Sequence, residues 1–135
     1  MSMATFHLQI VTPDGCFYDG EAEKLCLRSS TGELGILANH IDMVTAIGMG
    51  EARITLDGTT RSGACIGGML AVTNGEVKVV ATTFEWAEDI DVARAKTSEA
   101  RARTVLEDKT RSDRDLKIAE AKLKRALVRQ SVGKK

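Results

Sequence analysis

Of twelve glycines, eleven stand at or before Gly75, and only Gly133 follows. The single proline is Pro13, and the five aromatics, Phe6, Phe17, Tyr18, Phe84 and Trp86, all precede residue 87. Glycine and proline punctuate turns and break helices. A chain of 135 residues that confines them this way has to fold as two pieces of different kind. Charge divides at the same place. Up to Ala87, five cations (Lys24, Arg28, Arg53, Arg61, Lys78) face ten acids; 19 of each sign in the whole chain leave 14 cations and 9 acids beyond. The formal charge of zero is therefore an acidic piece followed by a basic one.

The first piece, residues 1–87, alternates. Phe6, Leu8 and Ile10 point one way and His7 and Gln9 the other; Leu25 and Leu27 flank Cys26, Ile54 and Leu56 flank Thr55, and Val77 and Val79 flank Lys78. This is the period of half-buried strands. Turn signals separate the runs: Pro13-Asp14-Gly15, Asp19-Gly20, Thr31-Gly32, Asp57-Gly58 and Asn74-Gly75. That spacing predicts short antiparallel strands, hence a β sandwich or barrel. Asp57-Gly58 and Asn74-Gly75 suit two-residue hairpins, because both residue types accept positive φ. Gly63-Ala64-Cys65-Ile66-Gly67-Gly68 reads as a glycine-rich strand end.

The second piece, residues 88–135, is rich in Ala, Arg, Lys and Glu and reads as an α-helical antiparallel hairpin. Asp89 or Asp91 caps a first helix that runs to about Leu106. Ser112 caps a second, with Asp115 three residues on. Glu99 and Arg103 form a favourable i,i+4 pair. The second helix has an apolar stripe of Leu116, Ala119, Leu123, Ala126 and Leu127, the first a poorer one of Ile90, Ala93, Ala100 and Leu106. One buried Leu contributes roughly 2 kcal/mol and an alanine much less. Such a hairpin is marginal alone and has to dock on the β piece, on a partner, or on each in turn.

Several functions are excluded or left without support. A neutral chain lacks the surplus cations of a general nucleic-acid binder. No apolar run of about eighteen residues is present to span a membrane, and the first residues show no export signal. Cys16, Cys26 and Cys65 have no zinc or disulfide spacing and read as three reduced thiols. No nucleophile motif or phosphate loop appears, so no catalytic or metal residue is assigned and an enzyme is not expected. Gly32-Glu33-Leu34-Gly35-Ile36-Leu37-Ala38-Asn39-His40 reads locally as a turn plus a strand. Lys122, Arg125 and Arg129 share one helix face, as either a solvated face or an anion-binding stripe.

Together these segments resemble the epsilon subunit of bacterial F-type ATP synthases. The resemblance is carried by Phe6 to Gly15 (Phe-x-Leu-x-Ile-Val-Thr-Pro-Asp-Gly), Tyr18 to Ala22, Gly32 to Leu37 with Asn39-His40, Gly67-Gly68, and Glu88-Asp89-Ile90-Asp91 with Arg94-Ala95. It covers Thr5 to about Val132. It implies a non-catalytic rotor subunit of the central stalk, peripheral to the cell membrane on its cytoplasmic side. Such a subunit couples proton- or sodium-driven rotation to ATP synthesis and inhibits hydrolysis through mobile C-terminal helices. The implied partners are the gamma subunit, the c-subunit ring, and the alpha and beta subunits, with no nucleic acid and no direct membrane insertion.

The turn holding Glu33, with His40 nearby, matches the ring-facing edge. The basic second helix, with Arg114, Lys117, Lys122, Lys124, Arg125 and Arg129, matches the inhibitory helix that meets acidic residues of beta. Glu85, Asp91, Arg94, Arg125 and Arg129 match the family's ATP-binding residues. No cofactor is required, and ATP is a regulatory ligand. The chain departs from the family pattern at Ala38, where members usually carry Pro, and at Ile41-Asp42, which leaves the loop less rigid. Trp86 either stacks on adenine or fills the gap between the pieces. A freestanding ATP-sensing module is the alternative reading.

Overall fold

The computed structural model describes residues 4–133. Residues 1–3, part of the start read for an export signal, and 134–135 lie outside the described residues. Two compact units appear, one running to Trp86 and the other beginning at Ala87.

The first unit has eight strands: β1 (Phe6–Thr12), β2 (Gly15–Ala22), β3 (Lys24–Ser29), β4 (Gly32–Leu37), β5 (Met43–Ala46), β6 (Met49–Leu56), β7 (Thr59–Thr73) and β8 (Glu76–Trp86). They pair in the order β2-β1-β8-β7-β6-β3-β4, with β5 also on β7. The fold is the expected sandwich, with two differences. β1 runs parallel to β8, and β7 is 15 residues long. Gly67 and Gly68, with φ of 71° and 112°, lie inside β7 rather than at its end. Inward positions are Leu70 and Val72 beyond them and Cys65 before them, so the strand changes facing there. β7 pairs with β6 through Ile66 and with β5 from Met69. It thus belongs to both layers, and β8 follows it along its length.

The core between the layers holds Leu8, Ile10, Leu25, Leu27, Ile36, Leu70, Val72 and Val79, all essentially inaccessible. Each large aliphatic contributes about 2 kcal/mol by leaving water. The buried Glu23 accepts a hydrogen bond from the Asp57 N–H. It thereby ties the β2–β3 connection to the Asp57-Gly58 hairpin. Both expected hairpin turns form, with positive φ at Asp57, Gly58, Asn74 and Gly75. Asp19-Gly20 is not a turn. It continues β2, with Asp19 opposite Gln9 and Gly20 opposite Leu8. Gly20 borders the Tyr18 ring, and the Tyr18 hydroxyl donates to the Glu21 carbonyl.

Trp86 belongs to the core of the first unit. It is packed in the β-unit core with Phe84 and Tyr18, at centroid distances of 4.9 and 6.4 Å. The Arg61 guanidinium lies 3.6 Å over its ring, a cation–π contact that covers one face of the indole. The cysteines are free; Cys16 is exposed, and burial pushes the Cys65 thiol up to about 12.

On the exposed face of β1, His7 Nε2 meets Asp19 Oδ1 at 2.5 Å. That hydrogen bond raises the imidazole pKa above its ordinary 6.5, against a loss of hydration, and the charges of Asp19, Glu76 and Glu21 add to it. A raised folded-state pKa gives stability that is complete below the unfolded value and disappears as pH rises through the folded one. His7→Gln should therefore lower the melting temperature by a few degrees near pH 5.5 and leave it almost unchanged near pH 9. Calorimetric melts at the two pH values check this; an equal loss at both would rule out a proton-linked contact.

The second unit is a 3-10 turn (Ala87–Asp89), α1 (Val92–Glu107) and α2 (Asp113–Gly133). Asp91 is the N-cap of α1, its carboxylate accepting from the Arg94 N–H at 3.0 Å. At α2, the Ser112 hydroxyl accepts from the Asp115 N–H. The expected i,i+4 pair is present, Arg103 Nε lying 2.7 Å from Glu99. The buried side chains are Ala95 and Ala102 on α1, and Ala119, Ala126 and Val132 on α2. Spacings of seven place the alanines of each helix in one line. Ala93 and Ala100 face solvent instead, beside Thr97 and Thr104, whose hydroxyls donate to the Ala93 and Ala100 carbonyls. Leu127 also lies outside the seam, 42 % exposed. The seam selects the faces that let two backbones approach most closely, and alanine fits there better than leucine.

A cationic side of the helical hairpin

The alanine seam fixes where every other side chain of the hairpin lies. At ~100° per residue, Arg94 precedes Ala95 by one step and Arg125 precedes Ala126 by one step. Arg129 and Lys122 fall about 60° and 40° from Ala126 in the same rotational sense. In an antiparallel pair, displacements of the same sense from the two facing lines fall on the same side. Arg94, Lys122, Arg125 and Arg129 therefore share one side, joined by Arg101, one step before Ala102. The opposite displacement puts Glu99 and Gln130 together on the other side, and they do meet: Gln130 Nε2 donates to Glu99 Oε1 at 2.7 Å.

Height along the hairpin agrees. A Cβ on Gly133 would touch Val92 and Ile90, so the end of α2 returns to the start of α1. Arg94 and Arg129 then occupy the same end, with Arg125 about one turn further in. Guanidinium groups spaced like this suit phosphate or carboxylate oxygens. Sequence spacing revealed the α2 cations; Arg101 was missed, because its place depends on which α1 face meets α2.

Of the residues matched to ATP binding, Arg94, Arg125 and Arg129 come together in this way. Asp91 lies at the same end, and its Oδ1 is engaged as helix cap. Glu85 belongs to β8 in the other unit. Of the remaining cations matched to the inhibitory helix, Arg114 lies on the same side as Arg125, and Lys117 and Lys124 on the back of α2. Together the six sweep a continuous half of the helix circumference.

Glu33 and His40 are not brought together. Glu33 is not in a turn; it is the second residue of the edge strand β4, opposite Arg28. The turn lies before it at Ser30-Thr31, where the Ser29 hydroxyl donates to the Gly32 carbonyl at 2.8 Å. His40 follows the far end of β4, with Nδ1 2.8 Å from the Ile41 carbonyl. Between Glu33 and Leu37 the strand rises roughly 13 Å.

The ATP synthase, Delta/Epsilon chain, beta-sandwich domain matches residues 5–87, and the corresponding long alpha-helix domain matches residues 88–132. The chain belongs to the ATP synthase delta/epsilon family. It is 40% identical over 134 residues to the ATP synthase epsilon chain of Ruminococcus albus, covering 98% of this chain and 99% of that one. The ATP synthase epsilon chain of Caldanaerobacter subterraneus is 38% identical over 132 residues, with 97% and 95% covered. Among solved structures, a chain of the Euglena gracilis mitochondrial ATP synthase (OSCP/F1/c-ring) superposes with a TM-score of 0.85 at 19% identity, covering 97% of this chain and 82% of that one.

In this delta/epsilon chain the loop before β5 is tied to the β7–β8 turn, where Asp42 Oδ1 accepts from the Asn74 N–H at 2.9 Å. Among the described residues of this family member, no helix is long and apolar enough to cross a membrane.

Proposed function

We propose that this family member is the epsilon-type, non-catalytic central-stalk subunit of an F-type ATP synthase. It binds the gamma subunit and the c-subunit ring through its β unit and carries rotation driven by protons or sodium ions toward ATP synthesis. Its hairpin inhibits hydrolysis by offering the cations of α2 to acidic surfaces of the catalytic alpha and beta subunits. The complex holds it at the cytoplasmic face of the cell membrane. The reading rests on likeness to named epsilon chains over essentially the full length of both domains.

ATP is the proposed regulatory ligand, and the observation that carries this is the shared side of Arg94, Arg125 and Arg129. A ligand that touches both helices stabilises the closed hairpin by its differential affinity. At a hundredfold above the dissociation constant the gain is about 2.7 kcal/mol, comparable with what an alanine seam can supply. Isothermal calorimetry on the full chain should show ATP bound and not hydrolysed. Arg94→Ala should weaken binding more than tenfold, since a charge-assisted contact is worth about 1.5–3 kcal/mol. Absence of heat up to millimolar ATP would leave the cation side to protein partners, and equal binding by Arg94→Ala would remove Arg94 from the site. Co-purification with gamma tests the assembly itself.

A further inference from the structure

The outer face of the β6-β3-β4 layer carries a charged bridge that the sequence did not disclose. Arg53 on β6 is in register with Cys26 on β3, and Cys26 with Gly35 on β4. Glu33 lies two residues from Gly35, on the same outer face. The Arg53 guanidinium divides between two carboxylates. One terminal nitrogen is 3.0 Å from Glu51 Oε1, and the other reaches Glu33 Oε1 at 3.7 Å. The Glu51 side chain is only 10 % exposed against 56 % for Glu33. One end of the bridge is therefore fixed in the strand layer while the other holds a carboxylate on the sheet edge. Cys26 and Gly35 are both small and leave the lane open.

We infer that Arg53 is a positioning residue for Glu33, holding its carboxylate in one orientation on the β4 edge for contact with the c-subunit ring. This rests on the proposed reading of Glu33 as a ring contact. A carboxylate on an edge strand otherwise samples several rotamers, and the partner bears the cost of fixing one. The forked guanidinium spans two acids at once; an ammonium offers a single charged point.

The test is ATP synthesis driven by an imposed ion gradient in vesicles carrying the assembled complex, with thermal melts of each variant chain. Glu33→Gln and Arg53→Gln should each lower the synthesis rate about two- to fivefold, the range of an exposed ion pair. The double variant should be no slower than Glu33→Gln alone, because Arg53 acts only through Glu33. Arg53→Lys keeps a cation beside Glu51, so it should melt like the wild type and still lose rate.

An unimpaired Glu33→Gln would remove Glu33 from the ring contact, and the inference with it. An impaired Glu33→Gln beside wild-type rates for Arg53→Gln or folded Arg53→Lys would overturn the role of Arg53 alone. So would additive losses in the double variant.

Discussion

Removing residues 88–135 is expected to leave a folded β unit that still joins the complex, and to raise ATP hydrolysis by that complex. The core from Phe6 to Trp86 lies wholly before the cut, as do all the strand ladders and the Trp86–Arg61 contact. The cut falls in a 3-10 turn that contributes no buried residue. The truncated chain should therefore melt cooperatively and bind gamma. The proposed inhibitory surface is on α2, so its removal should free whatever fraction of complexes it blocks; if half are blocked at any moment, hydrolysis rises about twofold. The measurement is steady-state hydrolysis by complexes reconstituted with full-length or truncated chain. Failure of the truncated chain to fold or to join the complex would show that the two pieces are not independent, and an unchanged rate would deny the hairpin an inhibitory role.

Gly68→Val should be the most damaging single substitution in the β unit. The backbone there has φ of 112°, and a Cβ would lie 2.0 Å from the Val80 carbonyl oxygen and 2.8 Å from the Ala81 Cα. Both obstacles are main chain of the neighbouring strand, so no side chain can move aside. The strained conformation alone costs about 1–3 kcal/mol, and opening the β7–β8 ladder brings the total above about 4 kcal/mol. That is a large part of a typical stability of about 5–15 kcal/mol. The melting temperature should fall by about 15–30 °C, if the protein folds at all. Gly75→Asn is the contrast. Its φ of 81° is one that asparagine accepts, and a Cβ there meets nothing within 4 Å, so circular dichroism should report a melt within a few degrees of wild type. Similar losses from both variants would mean that positive φ, and not the crowding at Gly68, sets the cost.

These two glycines also show how far the sequence could be read. Gly75 follows Asn74 between two alternating runs, and local chemistry alone identifies the hairpin. Gly68 serves a neighbour on another strand, the Val80 carbonyl, and Asp19-Gly20 is carried straight through β2 by its ladder with β1. Such a role has no local signature, so Asp19-Gly20 reads as a turn and Gly67-Gly68 as a strand end. The helices behave the same way. Asp91 and Ser112 announce their caps by residue type and position. The buried face of α1 is ambiguous, because Ala93 with Ala100 and Ala95 with Ala102 have the same spacing and the same hydrophobicity. Only the second helix decides between them, and its choice brings Arg94 and Arg101 to the side of Arg125 and Arg129. In the β unit, the pairing of Arg53 with Glu33 needed the register of three strands. The separation of Glu33 from His40 needed the strand that lies between them.

The passage of β7 and β8 through both layers has a mechanical consequence. In a sandwich whose layers meet only through side chains, a lateral load makes one layer slide over the other, resisted by contacts that give way one at a time. Here 15 residues of β7 and 11 of β8 run from one layer into the next, so the same load stretches covalent chain and shears a long hydrogen-bonded ladder whose rungs are strained together. The β unit is stiff against sliding of one layer over the other, and that stiffness comes from the glycine kink that lets one strand serve two sheets.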